Sequence, residues 1–133
     1  MLGIGFTYLF VPVRNERNGI NMEKFIKNID FSKAVDMGSL VQYQEGQVVS
    51  RTLSQGKAVS ITLFAFDQNE EIGSHDSAGD AMVYILDGTA QITIGDEKHI
   101  VNKGEVIVMP AEVPHSLFAI EKFKMILTVV FVK

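Results

Sequence analysis

The sequence predicts an all-β protein folded as a small barrel of two antiparallel sheets. Short runs rich in β-branched and aromatic residues follow one another from residue 40 to residue 132, and glycine or a polar cluster ends each run. Regularly spaced strands of about 4–8 residues are typical of sandwiches and barrels. His75 and His115 stand beside two of these runs. Histidines from two separated segments meet only where the sheet curls back on itself, which predicts a site in the mouth of the barrel.

Composition restricts the class of protein. The chain has 133 residues, of which 47% are hydrophobic and 21% charged, and this indicates one globular domain large enough to bury a core. A formal net charge of -4 and the lack of a basic block disfavour nucleic acid as a partner. The sequence has no cysteine, which excludes disulfides, thiolate metal ligands and thiol nucleophiles and fits a cytoplasmic location.

Residues 1–21 form an N-terminal extension with two interpretations. Its apolar part is shorter than the roughly 20 residues of a membrane-spanning helix, and its basic residues follow that part, unlike a signal peptide. We therefore expect no membrane partner. The alternation of Leu2, Ile4, Phe6 and Tyr8 predicts an extra strand that pairs with a partner subunit. Alternatively, the natural chain begins at Met22, and in either case residues 22–133 form the single domain.

This domain is predicted to begin with a short helical turn and to continue as strands. Asp30 or Ser32 would cap a turn over residues 32–37 that ends at Gly38. Gly95 and the run 102–104 provide turn signals farther along the chain. The strands are predicted over residues 40–43, 47–53, 59–66, 82–86, 90–94, 99–101, 106–109, 115–120 and 124–132.

Two of the predicted strands are apolar on both faces. Met82, Tyr84 and Leu86 share one face of their strand, and the residues between them are also apolar. The run 124–132 has the same character. A second subunit would cover the outer face, and homodimers are the commonest oligomers, so we expect a homodimer. In the alternative interpretation, the opposing sheet and the N-terminal segment of the same chain cover these strands.

The glycines and histidines of the second half of the chain resemble the two motifs of the cupin superfamily. Gly104, Pro110 and His115 match the second motif, Gly-x5-Pro-x-Gly-x2-His-x3-Asn. Gly88 matches the closing glycine of the first motif, Gly-x5-His-x-His-x3-4-Glu-x6-Gly, and His75 then falls at its first histidine. The resemblance extends over about 90 residues and implies a cupin-like double-stranded β-helix, or jelly-roll, barrel.

Several motif positions, including those of two metal ligands, hold other residues. The replacements include Ser77 for the second histidine, Ala81 for the glutamate, Glu112 for the second glycine and Ala119 for the asparagine. The usual metal shell of the family, three histidines and one glutamate, is thus reduced to His75 and His115. The chain resembles small single-domain cupins with an incomplete metal-ligand motif. Asp80 precedes the glutamate position by one residue, and because side chains alternate along a strand it replaces the glutamate only at the lip of the barrel.

The resemblance implies a site formed by His75, Ser77, Asp80, Ala81 and His115. The favoured function is the binding of a small polar or carboxylate-bearing molecule in the barrel, with Ser77 and Ala81 leaving space that metal ligands would otherwise fill. The alternative is a metal-dependent oxygenase, isomerase or lyase, in which His75 and His115 hold one divalent ion (Mn, Fe, Ni or Zn) that water, substrate or Asp80 completes. A third interpretation is a structural or regulatory dimer with a vestigial pocket. The sequence identifies no catalytic residue.

Overall fold

The structure is a computed structural model that describes residues 25–131 in full and the backbone of residues 7–8, 16–17 and 20–21. The described elements are β1 (Thr7–Tyr8), β2 (Glu16–Arg17), β3 (Ile20–Asn21), a 3-10 helix (Met37–Leu40), β4 (Val48–Gln55), β5 (Val59–Phe66), β6 (Glu71–His75), β7 (Asp80–Asp87), β8 (Thr89–Ile94), β9 (Glu97–Asn102), β10 (Val106–Met109), β11 (His115–Ala119) and β12 (Phe123–Val130). Over these ranges, no helix has the length and apolar character needed to cross a bilayer.

Two facing sheets make up the barrel. One has the strand order β1-β4-β5-β12-β7-β10 and the other the order β6-β11-β8-β9, while β2 and β3 pair separately. All pairings within the two sheets are antiparallel except that of β1 with β4. This arrangement confirms the predicted all-β jelly-roll class. Most of the proposed strand at residues 2–8, and the alternative start at Met22, lie outside the described residues.

The main core lies between the sheets. Alternate residues of β7 and β12 point inward, and Val83, Ile85 and Met125 are fully buried there. The rings of Phe66 and Phe123 stack with their centroids 4.4 Å apart. Apolar side chains on alternate positions of facing strands thus supply the burial that holds the sheets together.

A second core lies on the outer face of the six-stranded sheet. Residues 25–43 cross the outer face of β4 and β5, where Val41 packs with the outward residues Val49 and Leu63. The hydroxyl of Tyr43 donates to the Asp87 carboxylate, and this bond ties the segment to the end of β7. The chain itself therefore covers β4 and β5, and Leu86 of β7 and Ile126 of β12 also pack against this second core.

The outer face of β7 and β10 is not covered in the described part of the chain. Met82 and Tyr84 on β7 are 45% and 41% exposed, and Val106 and Val108, which lie opposite them on β10, are 55% and 52% exposed. Since β10 is an edge strand of its sheet, this apolar face also borders an open strand edge. The homodimer stays a prediction, and we expect the second subunit to bind at this uncovered face.

The structure corrects the predicted start of the domain. The helical turn is the 3-10 helix Met37–Leu40 rather than residues 32–37, and the Asp36 carboxylate caps it by accepting from the Gly38 N–H. Residues 41–43 do not form a strand. The Arg51 guanidinium donates a hydrogen bond to the Leu40 carbonyl, and the Val41 side chain is buried in the second core. Strand β6 was not predicted, because Gly73 and a single buried residue, Ile72, give it little apolar alternation.

Candidate functional site

The structure brings His75 and His115 together. His75 ends β6 and His115 begins β11, and the two residues lie opposite each other in the antiparallel pairing of these strands. Their ring centroids are 4.4 Å apart, and the ring planes make an angle of 72°. The pairing of strands from the two motif segments therefore positions both imidazoles at one end of the barrel.

The backbone fixes the tautomer of both rings. Nδ1 of His75 lies 2.9 Å from the carbonyl oxygen of Gly73, and Nδ1 of His115 lies 3.1 Å from that of Val113. A carbonyl only accepts, so each Nδ1 carries the hydrogen and each neutral ring keeps a lone pair on Nε2. Nε2 of His75 is buried without a partner among the described residues. Both rings thus present an acceptor or metal-ligating nitrogen.

His115 is held in its neutral form. The side chain is 2% exposed, and burial lowers the pKa of its imidazole from 6.5. Repulsion from a charged His75 lowers the pKa further, while the bond to the Val113 carbonyl and the charge of Asp76 act in the opposite direction. At neutral pH His115 is therefore an uncharged hydrogen-bond acceptor.

A cavity of about 140 Å³ opens beside His115. Ser77 and Ala81 line it with His115, so three of the five predicted site residues meet there. Hydroxyl-bearing residues of β4 and β5 form one wall, namely Thr52, Ser54, Ser60 and Thr62. The remaining wall is mainly apolar and includes Phe64, Met109, Leu127, Val129 and Phe131. No carboxylate, ammonium or guanidinium group belongs to this lining, as far as the chain is described.

Asp80 and Ser77 make hydrogen bonds that shape the loops around the site. Asp80 does not line the cavity; its carboxylate accepts from the Ala111 N–H at 2.8 Å and secures the loop that leads to His115. The Ser77 hydroxyl donates to the Gly79 carbonyl and accepts from the Gly79 N–H, both at 3.1 Å. Ser77 therefore shapes the turn before β7 as well as lining the cavity.

The loop before His115 explains one motif position. Glu112, which replaces the second motif glycine, has φ 63°, a left-handed conformation that glycine adopts without strain. Its N–H donates to the Ser77 carbonyl at 2.8 Å. This bond joins the two motif segments, so the geometry of the loop is kept although a side chain stands at the glycine position.

Sequence reasoning missed the hydroxyl wall. Thr52 and Ser54 share a face of β4 with Ser50, while Val49 and Leu53 lie on the opposite face and belong to the second core. The period-two alternation was visible in the sequence, but its polarity is inverted, with hydroxyls inside and apolar residues outside. Residues 25–43 cover the outward apolar residues of β4 and so remove them from water.

The donor set does not fit a complete metal shell. In the described residues, no group of three or more histidine, aspartate, glutamate or cysteine side chains is placed to hold one ion. Two imidazole nitrogens supply half of a tetrahedral shell and less of an octahedral one. The carboxylate of Asp80, one residue before the position of the motif glutamate, accepts a hydrogen bond from the Ala111 N–H.

Comparison with known proteins identifies similar chains. Residues 62–131 match the family model described as "Cupin domain". A conserved protein of unknown function from Streptococcus pyogenes is 46% identical, with a TM-score of 0.82 over 85% of this chain and 99% of that one. A cupin superfamily protein from Desulfitobacterium hafniense is 31% identical, with a TM-score of 0.77 over 80% and 98%.

The match to a third solved structure covers a smaller share of that protein's chain. The Cupin 2 conserved barrel domain protein from Leptotrichia buccalis is 36% identical, with a TM-score of 0.71 over 72% of this chain and 47% of that one. A comparison with curated proteins finds no significant match. These three structures share the barrel, and their names state no activity.

Proposed function

This chain belongs to the cupin family, and we propose that it binds a small polar molecule in the cavity beside His115. The observation that carries the proposal is the set of polar side chains that lines the cavity. The hydroxyl-bearing residues Thr52, Ser60 and Thr62 line it on one side, and the buried imidazole of His115 borders it.

The energetic argument concerns why these groups are inside the barrel. An unpaired hydroxyl taken out of water costs about 1–3 kcal/mol, so an interior wall with several of them is unfavourable unless water or a ligand meets them. Valine would fill the same positions on β4 and β5 at no such cost. Hydroxyls facing a cavity, opposite an apolar wall, are the usual composition of a small-molecule site.

The experiment is a thermal-shift screen of small polar compounds against the wild type and two variants. A compound at about ten times its Kd adds about 1.4 kcal/mol to the free energy of unfolding. We expect at least one compound to raise the melting temperature of the wild type and to lose this effect in Thr52→Val/Thr62→Val. The control, Thr128→Val, changes a threonine on the outer face of the same sheet and should keep the effect.

A metal-dependent enzyme is the second candidate. The feature that favours it is the adjacency of His75 and His115, each with Nδ1 bonded to a carbonyl and Nε2 left for a ligand. No reaction follows from two imidazoles alone. Elemental analysis of untagged protein and of His75→Ala/His115→Ala tests the candidate: near-stoichiometric metal in the wild type only would support it, and no metal in either would reject it.

A further inference from the structure

The size of the cavity limits its occupant to about one ring. The cavity measures about 140 Å³, and an engineered protein cavity of about 150 Å³ accommodates benzene. The apolar wall includes Phe64, Leu127 and Val129, whose side chains offer a surface for the face of a ring. A six-membered ring with one short substituent therefore matches the volume and the apolar side of the site.

The charges around the cavity limit the occupant further. No cationic or anionic side chain belongs to the described lining. A carboxylate, phosphate or ammonium group inside would lose its hydration without gaining an opposite charge, which costs far more than burying a neutral group. The carboxylate-bearing ligand expected from the sequence would have no cationic side chain of the described lining to pair with. An uncharged ligand is favoured instead.

The hydrogen bond made by His115 sets the polarity of the contact. Because Nδ1 donates to the carbonyl of Val113, Nε2 of the neutral ring accepts and does not donate. The ligand must therefore bring an N–H or O–H to this atom. The hydroxyls of Thr52 and Thr62 both donate and accept, so they can complete the bonding of a ligand hydroxyl.

We infer that the cavity takes an uncharged, single-ring alcohol or phenol whose hydroxyl donates to Nε2 of His115. This inference rests on the proposed function and specifies the class of ligand for that same cavity. The volume of the cavity limits the ligand to about one ring, and the lining without charged groups favours an uncharged ligand. Because Nε2 of the neutral His115 ring accepts, the ligand has to supply the hydrogen-bond donor.

The test compares probes that share a ring and differ in one property. Phenol and cyclohexanol are neutral donors, anisole has no donor, and benzoate is charged. Binding is measured by ligand-observed NMR and by titration of amide shifts at about pH 8, where an ordinary imidazole is neutral. We expect phenol or cyclohexanol to bind about tenfold or more tighter than anisole, and benzoate to bind more weakly than either.

Variants locate the contact. His115→Gln keeps an acceptor and is expected to retain the preference for phenol over anisole, whereas His115→Leu is expected to remove it. Thr128→Val again serves as the control outside the cavity. Amide shifts of β4, β5 and β12 report whether the probe lies in the cavity, and they also report whether each variant is folded.

The outcomes separate the inference from the function beneath it. Benzoate binding as tightly as phenol would overturn the neutral class, and anisole binding as tightly as phenol would overturn the donor. If a screened polar compound binds in the cavity but none of the ring probes does, the ring class fails while the proposed function stands. If no compound of either set binds in the cavity, the proposed function itself fails.

Discussion

Replacing Thr52 and Thr62 by valine is expected to stabilise the ligand-free protein and to weaken ligand binding. The two residues lie opposite each other on β4 and β5, and both line the cavity. Valine keeps the shape of threonine and exchanges the hydroxyl for a methyl group. Opposite changes in stability and in binding are characteristic of residues kept for function.

The magnitude follows from the environment of the two side chains. A buried methyl contributes about 0.8 kcal/mol, and each threonine is only partly buried, so each substitution should add about 0.4–0.8 kcal/mol to the free energy of unfolding. The pair then adds about 0.8–1.6 kcal/mol. With a urea m-value of about 2 kcal/mol/M, the unfolding midpoint rises by about 0.4–0.8 M.

Urea unfolding followed by circular dichroism measures the first effect, and the NMR titration with phenol measures the second. Thr128→Val, on the outer face of β12, should change stability by less than about 0.5 kcal/mol and leave phenol binding as it is. A loss of stability in the double variant would refute the reasoning, because it would mean that the hydroxyls have structural partners. Unchanged binding of phenol would refute it as well.

Three further predictions concern the barrel. Gly88→Ala should lower the free energy of unfolding in urea by about 2–5 kcal/mol, because a Cβ at φ 76° would lie 1.9 Å from the Lys122 carbonyl oxygen. The control Gly46→Ala, at φ 67° with open space around it, should lower it by about 1 kcal/mol. Equal losses in the two variants would contradict the close approach at Gly88. The free energy of unfolding should fall as the pH drops below about 6.5, because the lowered pKa of His115 makes the unfolded chain bind more protons than the folded one. In urea titrations at several pH values, His115→Gln should make this fall shallower. An equally steep fall in the variant would contradict the assignment to His115. Sedimentation velocity should give a dimer for the wild type and a monomer for Tyr84→Lys/Val108→Lys, since both residues lie on the exposed face of β7 and β10. A monomeric wild type, or a dimer in the variant, would show that this face does not join two subunits.

The strands were the most predictable part of the fold. The bounds predicted for β5 and β10 agree with the structure residue for residue, because their runs are rich in β-branched residues and turn signals flank them. The helical turn was misplaced because Asp30, Ser32 and Asp36 are all plausible caps by residue type. Only the hydrogen bond from the Gly38 N–H selects Asp36.

The candidate site was predictable in its histidines and not in its walls. Motif spacing predicted that His75 and His115 meet, because their strands are neighbours in the barrel. The hydroxyl wall was not predicted, because a strand with polar and apolar faces is expected to turn its apolar face inward. For β4 that rule is reversed by the segment of residues 25–43, whose contacts with β4 are set by tertiary packing rather than by local pattern.

The two faces of β4 and β5 have different neighbours. Their outward residues, such as Val49 and Leu63, pack against residues 25–43, while Thr52 and Thr62 on the inward face line the cavity. A substitution at Thr52 or Thr62 therefore changes the lining of the cavity and leaves the contacts with residues 25–43 in place. Under the proposed function, single inward substitutions would then change the preferred ligand while the anchoring of these strands is kept.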